Sequence, residues 1–217
     1  MFRGILYQQW KWTRIIVGLA TVAGFAVPIF SVRYATGNME HGQAAAFLDG
    51  VQSWGVVYPA LAGAVGVLIA IGVWTADHRG RHVYALTLPL PRWKYVLLRF
   101  GAGLVLVAGP IAGATLGSVI AAASISLPAG LHAYPFALAV RFALAALVAF
   151  TMFFAVSSGT ARTASIILGG LAALVVIQVL LSATGLQTNI LMPVLNAILT
   201  VPGPFAIFSG RWMLVDV

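Results

Sequence analysis

Two stretches, IIVGLATVAGFAVPIF and GVVYPALAGAVGVLIAIGVWTA, contain no Asp, Glu, Lys, Arg or His, and further runs like them follow along the chain. A helix needs about 20 apolar residues to cross the roughly 30 Å hydrocarbon layer of a bilayer. In lipid, backbone groups must be satisfied within a helix or a closed barrel. These runs are continuous and do not alternate polar with apolar, so they predict helices and not barrel strands. Only 7% of the chain is charged and 61% is hydrophobic. An aqueous surface normally draws on about 25% charged residues, so the solvent for most of this chain is lipid.

The apolar runs predict an all-α, polytopic membrane fold of about six spans in one domain covering residues 1–217, with no separate soluble domain. The spans fall near 13–30, 53–76, 95–123, 135–156 and 164–183, and the stretch 189–208, interrupted by three prolines and Asn196, is either a broken sixth span or a re-entrant element. Pro28 marks the far end of the first span, and the polar stretch after it carries Arg33, Glu40, His41 and Asp49. Before the first span, Arg3, Tyr7, Lys11 and Arg14 recur at spacings of four, four and three, which gathers them on one helical face. With Phe2, Ile5 and Leu6 mainly on the other side, residues 1–14 predict an amphipathic helix lying in the interface and leading into the span. A cleaved signal peptide is disfavoured, since the basic region is long and no convincing small-x-small site follows it.

Twelve Lys and Arg stand against four Asp and Glu, a net charge of +8. On a membrane chain that excess reflects loops on the cytoplasmic side and anionic headgroups, not nucleic acid. With an even number of spans and the N-terminus inside, Arg3, Lys11, Arg14, Arg79, Arg81, Arg92, Lys94, Arg99, Arg162 and Arg211 are cytoplasmic. Arg33 and Arg141 fall outside. The expected location is the cell (inner) membrane, multi-pass, with a cytoplasmic N-terminus.

Charge is densest at residues 77–99, DHRGRHVYALTLPLPRWKYVLLR, between the second and third predicted spans. HVYALTL is too short to span but makes about two helical turns. Pro89 disfavours helix at Leu88, and Pro91 suits the first position of the next helix. The local physics predicts a short cytoplasmic helix held stiffly between two long ones, so that motion at its surface moves both.

The run Asp77, Gly80, Leu86, Leu88, Pro89, Leu90, Pro91, Arg92, Tyr95 and Arg99 resembles the signature of membrane (permease) subunits of ATP-binding-cassette (ABC) transporters, type-2 exporter class. It departs at Arg81, Pro91 and Arg99, where Thr, Ser and Lys are more usual. The resemblance implies that residues 77–91 form a coupling helix that docks on a separate cytoplasmic ABC ATPase subunit. The docking set is then Asp77, Arg79, Gly80, Arg81, Val83, Leu86, Pro89 and Arg92. It implies two permease chains, a homodimer or a pair of related permeases, with ATP and Mg bound on the ATPase and no cofactor in this chain. The expected function is ATP-driven export of a substrate the sequence does not identify.

The chain has no Gly-x-x-x-x-Gly-Lys-Ser/Thr, so an ATP site of the usual kind is not expected and the chain is not read as an enzyme. A metal pair at His78 and His82 is disfavoured by the flanking arginines, and no HExxH or Gly-x-Ser-x-Gly is present. Arg141, Gln178 and Asn196 are polar within predicted spans and are candidates for a substrate path. Gly109, Gly113 and Gly117 form a small-residue ridge that admits another helix, from this chain or a second copy. The alternative reading is an energy-independent assembly or structural subunit, or a secondary transporter, for which residues 77–99 are only a basic loop.

Overall fold

The computed structural model describes residues 1–37, 44–79, 91–127, 130–159 and 205–216, with isolated positions between 166 and 203. Five α-helices account for most of the described residues: α1 (Phe2–Gly37), α2 (Ala44–Ser53), α3 (Val57–Arg79), α4 (Arg92–Ala123) and α5 (Pro135–Ser157). Two-residue strands β1 (His132–Ala133) and β2 (Val215–Asp216) pair antiparallel, and a 3-10 turn lies at Ala206–Phe208. Four stretches are long and apolar enough to cross a membrane: Phe2–Gly37, Ala44–Arg79, Arg92–Ala123 and Pro135–Ser157. The predicted spans near 164–183 and 189–208 lie largely outside the described residues.

The helices pair in two parallel couples. Along α1 and α4 the register is kept from Gln9 beside Arg99, through Thr21 against Gly113, to Phe25 against Gly117. Along α3 and α5, Gly66 lies against Ala146, and the Trp74 indole Nε1 donates to the Phe154 carbonyl at 3.2 Å. The couples run in opposite directions. One end of the bundle, called here the near end, therefore gathers the starts of α1 and α4 with the finishes of α3 and α5. The far end gathers α2, the Ser31–Tyr58 hydroxyl bond (2.7 Å), β1 and the 206–216 segment.

Four boundaries differ from the sequence-based expectation. Pro28 does not end α1, which runs on to Gly37: prolines are tolerated inside membrane helices, where leaving the helix would strip every following backbone group of its partner. The polar stretch after it contains α2, whose Phe47 and Val51 are buried and whose Gly50 lets Ala35 approach. Pro91 caps α4 from outside, one residue before its expected place. Residues 1–14 are not a separate element lying flat: α1 is unbroken over 36 residues, about 54 Å at about 1.5 Å per residue. Ile5, Gln9 and Thr13 are buried in the bundle, while Arg3, Tyr7, Lys11 and Arg14 stay exposed as their spacing predicts.

Arg211 is corrected too. The Arg141 guanidinium donates to the backbone carbonyls of Ile207, Ser209 and Arg211 and stacks on Trp212 at 4.6 Å. Arg211 thus stands beside Arg141 at the far end, not with the N-terminus.

Candidate functional site

Where α3 finishes and α4 begins, the bundle buries a full ion pair. Asp77 sits in the last turns of α3, and Tyr95 and Arg99 are four apart on α4, so both face it. Arg99 Nη2 donates to Asp77 Oδ1 at 2.9 Å, and both side chains are 1% exposed. The Tyr95 hydroxyl lies 3.1 and 3.0 Å from the two carboxylate oxygens and shares its one proton between them, while accepting from Arg99 Nε at 2.8 Å. Arg99 Nη1 donates to the Val73 carbonyl. The guanidinium carbon lies 5.1 Å from the Trp74 ring centroid and 5.2 Å from that of Tyr95.

This is a staple across two helices. A lone charge in a low-dielectric interior is very costly, and pairing with hydrogen bonds to the remaining donors makes burial tolerable. α1 joins it through Gln9 Nε2, which donates to the Arg99 carbonyl at 3.2 Å. α5 joins through an aromatic cluster: Phe100, Phe150 and Phe154 lie with ring centroids 5.2 to 5.7 Å apart, and Trp74 is 5.2 Å from Phe154. All four long helices meet around one ion pair.

Around the staple the near end is basic. Arg3, Lys11, Arg14, Arg79, Arg92 and Lys94 are exposed there, and Arg79 stacks over Trp12 at 4.5 Å. Of the docking residues implied by the resemblance, Arg79 and Arg92 lie on this exposed rim. Asp77 does not: its carboxylate is turned inward and engaged by Arg99 and Tyr95. Gly80, Arg81, Val83, Leu86 and Pro89 lie outside the described residues, as does the expected coupling helix.

The glycine ridge of α4 faces α1 of the same chain. A Cβ at Gly113 would meet the Thr21 carbonyl at 2.5 Å, and one at Gly117 would collide with the Phe25 backbone. From the opposite side, a Cβ at Gly24 would stand 2.9 Å from the Pro110 carbonyl. Among the pathway candidates, Arg141 is held by its three carbonyls as an anchor for the 206–216 segment. Gln178 is half-buried and Asn196 exposed, both in the region described only at isolated positions. Among the described residues no three His, Cys, Asp or Glu side chains cluster closely enough to hold a metal ion.

Sequence reasoning named Asp77, Tyr95 and Arg99 but did not join them. The signal was present: two opposite charges at the adjoining ends of consecutive apolar helices must find partners, and antiparallel helices bring them level. Gln9 and Trp74 carried no such signal. Comparison with models of known families, with curated proteins and with solved structures finds no match.

Proposed function

We propose that this chain is the permease subunit of an ABC transporter, docking a separate cytoplasmic ATPase through residues 77–91 and the basic rim beside them. The observation that supports this most is the staple. It locks the two helices flanking the 80–90 segment to each other, so a push on that segment is delivered to α3 and α4 together. Through the glycine seam α4 carries α1, and through the Gly66 contact and the Trp74 bond α3 carries α5. A loose junction would absorb the push; this one passes it to the whole bundle.

In this reading the near end is cytoplasmic, because the exposed arginines and lysines crowd there. ATP-driven closure of two ATPase subunits would draw two permease chains together at their near ends. It shifts the permease only to the extent that the ATPase contacts differ between its two conformations.

Co-purification from the chain's own membrane is the direct test. An ABC ATPase is expected to accompany the wild-type protein and to be lost on double substitution Arg79→Glu with Arg81→Glu, or on deletion of residues 83–88. If no ATPase is retained by the wild type, or these changes leave its association and stimulated hydrolysis intact, the reading fails. Orientation is tested separately: the chain has no cysteine, so single-cysteine variants at Lys94 and at Tyr134 should label from the cytoplasmic and the opposite side respectively.

A further inference from the structure

A groove of about 790 Å³ runs between α1 and α4 on the outside of the bundle. Its mouth, at the near end, is formed by Arg3, Tyr7 and Trp10, and its apolar length by Gly18, Val22 and Val105 among others. Three observations say what fits it.

The first is a glycine that protein packing does not explain. Glycine inside a helix is unfavourable relative to alanine, and Gly24, Gly113 and Gly117 are accounted for by the close passage of a neighbouring helix. Gly18 is different: like Gly4 it is exposed with no atom within 4 Å of a Cβ, but unlike Gly4 it lines the groove. What its missing side chain leaves room for is not part of the described protein.

The second is length. From Trp10 to Val22 a helix rises about 18 Å, close to half of the roughly 30 Å hydrocarbon layer. The apolar part of the groove thus matches one acyl chain in one leaflet, with Tyr7 and Trp10 at the depth where aromatic side chains meet headgroups.

The third is charge. Arg3 lines the mouth, Lys11 and Arg14 are exposed further along the same helix, and α1 contains no acidic residue. Asp77, the buried carboxylate of the near end, is already paired with Arg99. The mouth is a site for a negative group, with Tyr7 and Trp10 lining it beside Arg3.

From these we infer that the groove holds one anionic phospholipid of the near-end leaflet, its phosphate at Arg3, Tyr7 and Trp10 and one acyl chain laid over Gly18 toward Val22. The inference does not depend on an ATPase partner.

The intact protein, purified in mild detergent, is expected to retain about one anionic phospholipid per chain by native mass spectrometry and by lipid extraction. Phosphatidylglycerol added in nanodiscs should raise its thermal midpoint more than phosphatidylcholine does. Gly18→Leu, which puts a side chain into the groove from a position where a Cβ meets no atom within 4 Å, should weaken the phosphatidylglycerol effect at least tenfold while leaving the lipid-free midpoint unchanged or raised. Arg3→Gln should erase the preference for phosphatidylglycerol over phosphatidylcholine. Inorganic phosphate alone should have no effect, since a phosphate site without the acyl groove would respond to it. Undiminished lipid retention in Gly18→Leu would overturn the inference. So would a disulfide-linked dimer formed by Gly18→Cys, which would put a second copy over the groove. A Gly18→Cys crosslink to a cysteine placed between residues 160 and 205 would overturn it as well, by showing that the chain covers its own groove.

Discussion

α4 is held in two ways along its length. Its first turns are fastened to α3 by a buried ion pair, and its middle is fastened to α1 by glycines that let two backbones touch. The ion pair concentrates its effect in three side chains, Asp77, Tyr95 and Arg99, and loses it if one is removed. The glycine seam spreads its effect over Gly24, Gly109, Gly113 and Gly117 and depends on shape alone. The first kind of bond fixes direction as well as distance between two helix ends. A long interface that must simply stay closed in lipid, where burying apolar surface gives no advantage over contact with acyl chains, needs only the second.

Removing one member of the staple should have the largest effect. Asp77→Ala leaves the Arg99 charge buried without its partner, at a cost of about 3–5 kcal/mol, and Arg99→Ala does the reverse. Denaturant titration in mixed micelles reads this directly. Changing both residues together should cost less than the sum of the single changes, and strict additivity would mean the pair is not coupled. Tyr95→Phe comes next: it removes a hydroxyl bonded to both charged partners but leaves the ring, for about 1.5–3 kcal/mol in the same titration. Loss as large as that of Asp77→Ala would mean that Tyr95, and not the ion pair, is the centre of the junction.

The seam should yield less to a single change. Gly117→Ala forces a methyl group against the Phe25 backbone and should cost about 1–3 kcal/mol, as overpacking does, with a measurable increase in the α1–α4 spacing between spin labels. Gly4→Ala marks the floor of the comparison. Nothing lies within 4 Å of a Cβ there, so the change should be neutral or stabilise by up to about 1 kcal/mol through the helix alone. A destabilising Gly4→Ala would show that glycine on α1 matters for some reason other than close approach.

Much of this was legible in the residues because lipid imposes simple rules. The apolar run near 135–156 became Pro135–Ser157 almost unchanged, since proline opens that helix and serines follow it. The run near 95–123 became Arg92–Ala123, lengthened at its start by the turn that carries Arg92 and Lys94. What was not legible came from pairings between distant parts. Pro28 reads as a breaker in isolation, but α1 continues past it to bury Ser31, Val32 and Ala35. α2 was hidden because its polar positions mask two buried side chains, Phe47 and Val51. Arg211 was misplaced because nothing in the sequence ties it to Arg141, 70 positions earlier. The Asp77–Arg99 contact was the nearest miss: both residues stood out, but spacing along a chain does not say which carboxylate an arginine reaches.

The anchor at Arg141 constrains how the protein comes into being. Its guanidinium lies on α5, and the carbonyls that receive it belong to residues 66 to 70 positions later. During synthesis at about 5–20 residues per second, α5 emerges several seconds before those partners exist. For that interval a cation at the edge of an apolar helix has only water or headgroups to meet. Newly made α5 therefore keeps that cation near a membrane surface, and its anchor at the far end forms only after residues 207–211 have arrived. Maturation of this fold is timed by its own tail.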